Sequence, residues 1–201
     1  MKVTLLDYGA NNVTSVEQAF ARLGAESVRA TTVEALASAE AIVLPGVGHF
    51  SALIRALDER KMRGPLAGAI ARGVPFLGIC LGLHALCESS EEAPGLAGLG
   101  LLRGSVVSLP KRAKLPHMGW NQVAVRGESR LLRDIASDAY FYFAHSFALT
   151  TFDGGATGAC THGTEFVATV ESKNIFAVQF HPEKSGEAGA RILANFLSLC
   201  A

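Results

Sequence analysis

Short apolar runs alternate with helix-period segments through the first ninety residues of the chain. Four apolar runs predict buried strands, at 2–6, 27–30, 41–44 and 74–79. Segments with a helical pattern follow them, at 13–23, 32–39, 51–62, 65–73 and 81–88. Asn12 is predicted to cap the first of these helices. Strands that alternate with helices are typical of a parallel sheet covered by helices.

The pattern changes after Pro94-Gly95. Six segments rich in valine, phenylalanine and tyrosine then predict strands, at 101–109, 121–126, 140–149, 156–160, 166–171 and 175–180. A last amphipathic helix is predicted at 186–199. We therefore expect one α/β domain over 1–201. Its central sheet should be mixed and mostly parallel, flanked by helices, with additional antiparallel strands in the second half.

Composition excludes several classes of protein. Of the 201 residues, 49% are apolar, and 18 basic residues balance 18 acidic ones, so nothing favours nucleic acid or a membrane surface as a partner. No apolar stretch is long enough for a signal peptide or a membrane span. The four cysteines, at 80, 87, 160 and 200, lack metal-ligand spacing and favour a reducing cytoplasm.

One glycine-flanked cysteine is the first candidate for chemistry. Cys80 stands in Gly78-Ile79-Cys80-Leu81-Gly82, between a predicted strand and a predicted helix. This arrangement is typical of a nucleophile elbow, with cysteine in the place that serine takes in hydrolases. A helix N-terminus favours thiolate over thiol. The alternative is a buried structural cysteine in a strand-to-helix turn.

A thiol nucleophile requires a base and a group that orients the base. His181 and Glu183 follow the predicted strand 175–180, at the carboxyl edge where sites of open α/β sheets lie. If the backbone there is extended, the two side chains project to the same side. Together with Cys80 they predict a Cys-His-Glu triad, and an ordinary exposed turn is the alternative.

Acyl transfer also requires donors for the oxyanion. The N–H of Leu81, directly after the nucleophile, is one candidate. The second should come from Pro45-Gly46-Val47-Gly48, where Val47 and Gly48 follow the strand 41–44 and the glycines allow a peptide orientation that other residues resist. The alternative is a plain turn after a strand.

These motifs resemble those of class I, or triad, glutamine amidotransferases, through Gly78–Gly82 together with Gln179-Phe180-His181-Pro182-Glu183. The resemblance is closest to the glutaminase subunits of imidazole glycerol phosphate synthases. It runs from Asp7 to Ser185 and includes five stretches: Asp7-Tyr8-Gly9 with Asn12, Pro45–Gly48, Pro116-His117-Met118-Gly119-Trp120-Asn121, Phe143-Ala144-His145-Ser146-Phe147 and His181-Pro182-Glu183-Lys184-Ser185.

The resemblance implies a flavodoxin-like amidotransferase fold and the hydrolysis of L-glutamine through a thioester on Cys80. It implies that ammonia passes to a separate (βα)8-barrel cyclase subunit in histidine biosynthesis, with no cofactor and no metal. It places the substrate against Gly46, His84, His145, Ser146 and Phe147. It places the partner interface at Asn12, Pro116, His117, Met118, Gly119, Trp120, Asn121 and Lys184.

Three positions depart from that family, and one of them is Asn11, which replaces a common glycine in the first turn. His84 stands where glutamine usually contacts the substrate, and Phe147 stands where tyrosine is common. We expect His84 to weaken or reshape glutamine binding, unless it only packs beside the elbow. Trp120 could be plain core and Lys184 a solvated charge. Three alternative functions stay open: the glutaminase of another amidotransferase, such as anthranilate synthase; a cysteine peptidase or chaperone-like relative; and a weakly active or non-catalytic subunit that binds a partner.

Overall fold

An eight-stranded sheet forms the centre of the protein. The computed structural model describes residues 1–152 and 155–200. The sheet has the order β2-β1-β3-β4-β13-β12-β11-β8. Its strands are β1 (Lys2–Leu6), β2 (Glu26–Ala30), β3 (Ile42–Gly46), β4 (Phe76–Cys80), β8 (Ala124–Val125), β11 (Ala156–Thr161), β12 (Glu165–Ser172) and β13 (Ile175–Val178). The first five in that order are parallel, and β12, β11 and β8 continue the sheet antiparallel.

Two smaller sheets lie beside the large one. One has the order β10-β6-β5 and the other pairs β7 with β9. Their strands are β5 (Ser89–Ser90), β6 (Ser105–Ser108), β7 (His117–Gln122), β9 (Tyr140–His145) and β10 (Phe147–Leu149). The expectation of a mixed, mostly parallel sheet with extra antiparallel strands in the second half is confirmed.

Helices cover both faces of the large sheet. They are α1 (Val13–Arg22), α2 (Val33–Ala37), α3 (Phe50–Glu59), α4 (Arg63–Ala71), α5 (Leu81–Leu86) and α6 (Gly186–Leu199), with a 3-10 helix at Pro182–Lys184. The apolar stripes of α1 and α6 pack into one core, and those of α3, α4 and α5 pack into a second. Among the described residues, no helix combines the length and the apolarity needed to cross a bilayer.

Some predicted boundaries were wrong because tertiary pairing ends the elements. The segment predicted as one strand at 140–149 is two, β9 and β10, which belong to different sheets and meet at Ser146. Hydrophobic pattern cannot show such a change of partner. Only 105–108 of the predicted strand 101–109 pairs, β4 begins at Phe76 rather than 74, and α5 ends at Leu86 rather than 88.

Three glycines let the chain pass closely around the end of β4. A Cβ on Gly82 would lie 2.1 Å from the carbonyl oxygen of Leu44, and one on Gly78 would lie 2.8 Å from the carbonyl oxygen of Gly82. A Cβ on Gly46 would lie 2.6 Å from Cβ of Leu81. Since real Cβ atoms do not approach other atoms so closely, only glycine fits at these positions.

Gly82→Ala is expected to lower the free energy of unfolding by about 3 kcal/mol, because the Leu44 carbonyl belongs to a central strand and cannot move away freely. Urea unfolding would measure the change. Gly64→Ala is the control: Gly64 lies in α4, where a Cβ would meet nothing within 4 Å, so stability should change by less than about 1 kcal/mol. Equal losses in the two variants would contradict this packing account.

Candidate active site

Cys80 occupies a sharp turn between β4 and α5. Its backbone angles, φ 53° and ψ −104°, lie in a region that a residue with a side chain rarely adopts. Such strain persists only where the surrounding structure enforces it, as the close passage at Gly78 and Gly82 does here. The predicted strand, turn and helix are therefore present, and they place the thiol at the carboxyl edge of the parallel strands.

A cavity of about 350 Å³ opens above this thiol. Its wall includes Cys80, Leu81 and His181, so it brings the predicted nucleophile and base together. The rest of the wall is formed by Val47, Gly48, His84, Glu92, Pro116, Met118, Ala144, His145, Ser146, Phe147 and Lys184. The predicted substrate residue Gly46 is not part of that wall. It lies behind it and packs against Leu81.

His181 and Glu183 contact each other directly. Nδ1 of His181 lies 2.9 Å from Oε1 of Glu183. The expected extended backbone was wrong: Pro182–Lys184 forms a turn of 3-10 helix, and this turn brings the carboxylate back to the imidazole. The N–H of His181 donates to the carbonyl of Tyr142 on β9, which fixes the backbone at the start of the turn.

Asn12 bonds the same carboxylate oxygen of Glu183 that His181 contacts. Its Nδ2 donates to Oε1 of Glu183 at 3.2 Å, and its side chain makes no capping bond to α1, contrary to expectation. The side chain of Glu183 is fully buried. A buried carboxylate is stable when donors face it, so His181 and Asn12 together keep Glu183 ionised and in place.

The electrostatics of Cys80, His181 and Glu183 favour a charged pair. Burial alone lowers the pKa of His181, but the charges and hydrogen bonds of Cys80 and Glu183 outweigh burial and raise that pKa above its ordinary value. Burial alone raises the pKa of Glu183, but the hydrogen bond and charge of His181 hold it below its ordinary value. A thiolate at Cys80 therefore stabilises an imidazolium at His181.

The Pro45–Gly48 segment, the candidate source of the second oxyanion donor, is bonded to the first turn of the chain. Tyr8 is nearly buried, and its hydroxyl donates to the carbonyl of Val47 at 3.4 Å. Burial raises the pKa of Tyr8, so this hydroxyl keeps its proton and can donate. Gly48 has φ +101°, an orientation of the peptide that glycine adopts readily. Leu81, Val47 and Gly48 all face the cavity.

Two buried histidines connect the cavity to the surface strand β7. Nδ1 of His145 lies 2.9 Å from the carbonyl oxygen of Phe147, so it carries a proton and donates. Burial lowers the pKa of His145 to about 3 and that of His117 to about 4, so both rings are neutral. Nε2 of His145 then accepts from Nδ1 of His117 at 3.0 Å. Nε2 of His117 accepts from Nδ2 of Asn121 at 3.3 Å.

The residues predicted for the partner interface divide into two groups. Met118 and Trp120 are 65% and 55% exposed, and Pro116 and Lys184 are also exposed. Asn12 and His117 are buried, with their side chains bonded inside the chain. Gly119 and Asn121 are half-buried. Trp120 packs edge-on against Tyr142 at 5.9 Å, and the Lys184 ammonium lies 5.8 Å from the centre of the same ring.

Comparison with known proteins decides the family. Residues 4–200 match the family model described as glutamine amidotransferase class-I. The chain belongs to the class I glutamine amidotransferases. Members of this family are enzymes, so the amidotransferase carries a catalytic site, and the strained cysteine above the sheet is consistent with that.

Curated relatives of this amidotransferase are subunits of one synthase. A protein from Methanothermobacter thermautotrophicus named imidazole glycerol phosphate synthase subunit HisH is 44% identical over 197 residues, which cover 98% of each chain. A protein of the same name from Deinococcus radiodurans is 46% identical over 200 residues, which cover 97% of this chain and 92% of the relative.

Solved structures confirm the fold of the amidotransferase. A crystal structure of a glutamine amidotransferase has a TM-score of 0.79 at 19% identity, with 98% of both chains covered. PurLQS from Thermotoga maritima has a TM-score of 0.79 at 22% identity, with 100% of this chain and 99% of that one covered. At such identities the likeness concerns the fold alone.

Sequence reasoning missed three residues of the amidotransferase site. Glu92 lies on the cavity wall, and its Oε2 accepts from the N–H of Phe50 at 2.7 Å. Tyr8 donates to the carbonyl of Val47 in the candidate oxyanion segment. Gln179 lies beside Cys80. Tyr8 and Gln179 were visible only as parts of longer motifs. Nothing in the sequence near Glu92 indicates its contact with Phe50, 42 residues earlier in the chain.

Proposed function

We propose that this chain is the glutaminase subunit of an imidazole glycerol phosphate synthase and acts as one amidotransferase domain. The observation that carries the proposal is the strained Cys80 facing a cavity together with His181, whose Nδ1 is bonded to Glu183. Identity of 44% along 98% of both chains to a HisH subunit supports the choice of synthase. All four cysteines are free thiols, which supports work in a reducing cytoplasm.

The thiolate of Cys80 attacks the side-chain carbonyl carbon of glutamine, so that a carbon–sulfur bond forms and the oxygen becomes an oxyanion. Because Nδ1 of His181 faces Glu183, Nε2 is the nitrogen left for the sulfur and the substrate. Nε2–H gives its proton to the amide nitrogen, the carbon–nitrogen bond breaks and ammonia leaves a thioester. Water then attacks the thioester, its proton goes to Nε2, and glutamate leaves as the carbon–sulfur bond breaks.

The oxyanion is stabilised by the N–H of Leu81 and by a peptide of the Val47–Gly48 segment. Tyr8 holds the carbonyl of Val47, and in a trans peptide the following N–H points the opposite way. The orientation of this peptide therefore determines whether a second donor is present. Gly48, at φ +101°, allows that orientation to change at little cost.

The zwitterionic part of glutamine needs charged and polar contacts on the cavity wall. Glu92 supplies a carboxylate for the α-ammonium group, and the segment His145–Phe147 supplies backbone groups beside it. The bond from His145 to the carbonyl of Phe147 fixes the conformation of that segment. Phe147 brings no hydroxyl to this wall, so its contribution is contact area.

The proposed docking site for the (βα)8-barrel cyclase is the exposed apolar surface beside the cavity, around Met118 and Trp120. The cyclase receives the ammonia. Met118 belongs both to this surface and to the cavity wall, as does Lys184. Trp120, at 55% exposure, supplies the aromatic anchor that interfaces favour. Asn12 and His117 are buried behind this surface and support it, since the side chain of each is bonded to a residue of the site.

The test compares glutamine hydrolysis by the chain alone, with the cyclase subunit, and with cyclase plus its nucleotide ligand. We expect the isolated chain to be slow and the complete mixture to be roughly 10²–10³-fold faster, because that is the effect of one oxyanion donor. Trp120→Ala should lower the stimulation, whereas Val28→Ala, on the edge strand β2 of the large sheet, should not.

Full activity of the isolated chain, unchanged by the cyclase subunit, would contradict the partner-dependent mechanism and favour a free-standing glutaminase. Stimulation by the partner of another amidotransferase, with none by the cyclase, would assign the chain to that other enzyme.

A further inference from the structure

A fully buried glutamine lies directly beside the nucleophile. Gln179 follows β13, and its side chain is placed between His84 and Cys80. Its Oε1 lies 2.8 Å from Nε2 of His84, and its Nε2 lies 3.6 Å from the sulfur of Cys80. The triad mechanism assigns no task to either Gln179 or His84, so this pair has a role still to be explained.

The orientation of the amide decides what the sulfur meets. An amide presents a donor group at one end and an acceptor at the other, and the two ends are almost equal in size. A thiolate is stabilised by the NH2 end and repelled by the oxygen end. Whatever fixes Oε1 on the far side of Gln179 therefore also fixes the donors against Cys80.

His84 is the group on that far side. Burial lowers the pKa of His84 to about 4, against a smaller opposite effect of its bond to Gln179, so the ring is neutral near pH 7. A neutral imidazole has one N–H, and a proton on Nε2 makes that nitrogen a donor to Oε1. The helix α5 that starts at the elbow carries His84, so the donor is held rigidly relative to the sulfur.

We propose that His84 is a positioning residue that acts through Gln179: it fixes the amide so that the NH2 group donates to the thiolate of Cys80. The proposal depends on the proposed role of Cys80 as the nucleophile. It explains how histidine can occupy a place beside the elbow: one nitrogen of the ring is bonded to Gln179 and is not available to the substrate.

The other titratable groups around His84 and Gln179 do not reproduce this effect. His145 lies close enough to His84 to influence its charge, but burial lowers the pKa of His145 to about 3 and the ring is neutral. Tyr8 faces Cys80, and burial raises its pKa, so it is also neutral. The charged groups on the described cavity wall are Glu92, His181 and Lys184, and all three stay unchanged in the variants described next.

The experiment measures how fast iodoacetamide alkylates Cys80 in the full chain at pH values from 5 to 9, with peptide mass spectrometry to separate the four thiols. The variants are His84→Phe, which keeps a ring without a donor, and Gln179→Met, which keeps the length of the side chain without an amide. His84→Gln is the rescue variant, because its amide can again donate to Oε1 of Gln179.

We expect the midpoint of the alkylation curve to move up by about one pH unit in His84→Phe and in Gln179→Met, which makes alkylation about tenfold slower at pH values below the midpoint. The plateau at high pH should stay the same. His84→Gln should restore the curve of the unaltered chain. The double variant that combines His84→Phe with Gln179→Met should shift no further than Gln179→Met alone.

Glutamine kinetics separate this role from a substrate contact. A positioning residue lowers kcat with little change in KM, whereas the loss of a binding contact raises KM alone. Identical alkylation curves in the unaltered chain, His84→Phe and Gln179→Met would overturn the proposal, as would a rise in KM alone for His84→Phe. Neither result bears on whether Cys80 is the nucleophile, which is tested by replacing Cys80 itself.

Discussion

Cys80→Ser is expected to lower glutamine turnover by roughly 10⁴-fold or more, since no bond to the substrate carbon can form without an activated nucleophile. A serine hydroxyl does not give up its proton to His181 as a thiol does, and its shorter bond leaves the oxygen farther from the cavity. The measurement is the release of glutamate by the complex with the cyclase subunit, where the activity of the unaltered chain is highest.

The matched control for this variant is Cys200→Ser. Cys200 is a partly exposed thiol at the end of α6, far along the chain from the elbow, and its sulfur donates to the carbonyl of Phe196. Turnover should be unchanged in this control. Since Cys80 and serine differ by one atom, the free energy of unfolding should change by less than about 1 kcal/mol in Cys80→Ser. Near-normal turnover in Cys80→Ser would exclude a thioester on this residue.

His181→Ala is expected to lower kcat by roughly 10²–10⁴-fold, because both the activation of the thiol and the protonation of the leaving amide nitrogen use its Nε2. Glu183→Gln should have a smaller effect. Cys80 and, after it, Glu183 raise the pKa of His181. This variant removes the charge of Glu183, so the imidazolium should lose its proton at lower pH. The pH profile of kcat would therefore move to lower pH on its alkaline side.

The control for the carboxylate is Glu187→Gln, which removes one negative charge from the exposed first turn of α6. Turnover and its pH profile should stay the same in that variant. If His181→Ala retained near-normal turnover, another base would be required, and the cavity offers His84 and His145. Burial keeps both of those rings neutral and lowers their affinity for a proton, which makes them weak bases.

The elbow could be predicted from sequence because its determinants are local. Gly78, Cys80 and Gly82 lie within five residues, and the strained turn they form needs those residue types whatever the surrounding chain does. The pairing of His181 with Glu183 was also expected, but for a reason that was wrong. The contact comes from a 3-10 turn, which the proline at position 182 favours, and not from extended backbone.

Contacts between distant segments could not be predicted in the same way. Asn12 has the sequence context of a helix cap, yet its side chain serves Glu183, 171 residues away, because tertiary packing places the first turn behind the triad. The sequence predicts Gln179 as one residue of a buried strand, and only the fold shows that its amide reaches Cys80. Propensity describes what a residue can do locally, and packing selects the partner.

Covalent trapping of the nucleophile tests the central claim most directly. A γ-glutamyl chloroketone places an electrophilic carbon where the substrate amide would lie, so it alkylates the residue that attacks glutamine. Peptide mass spectrometry of the treated complex would then identify the modified residue. The triad predicts one adduct per chain, on Cys80, with excess glutamine protecting against it and with labelling slowed in His181→Ala. Modification mainly at Cys87, Cys160 or Cys200, or labelling of Cys80 that glutamine does not slow, would contradict it.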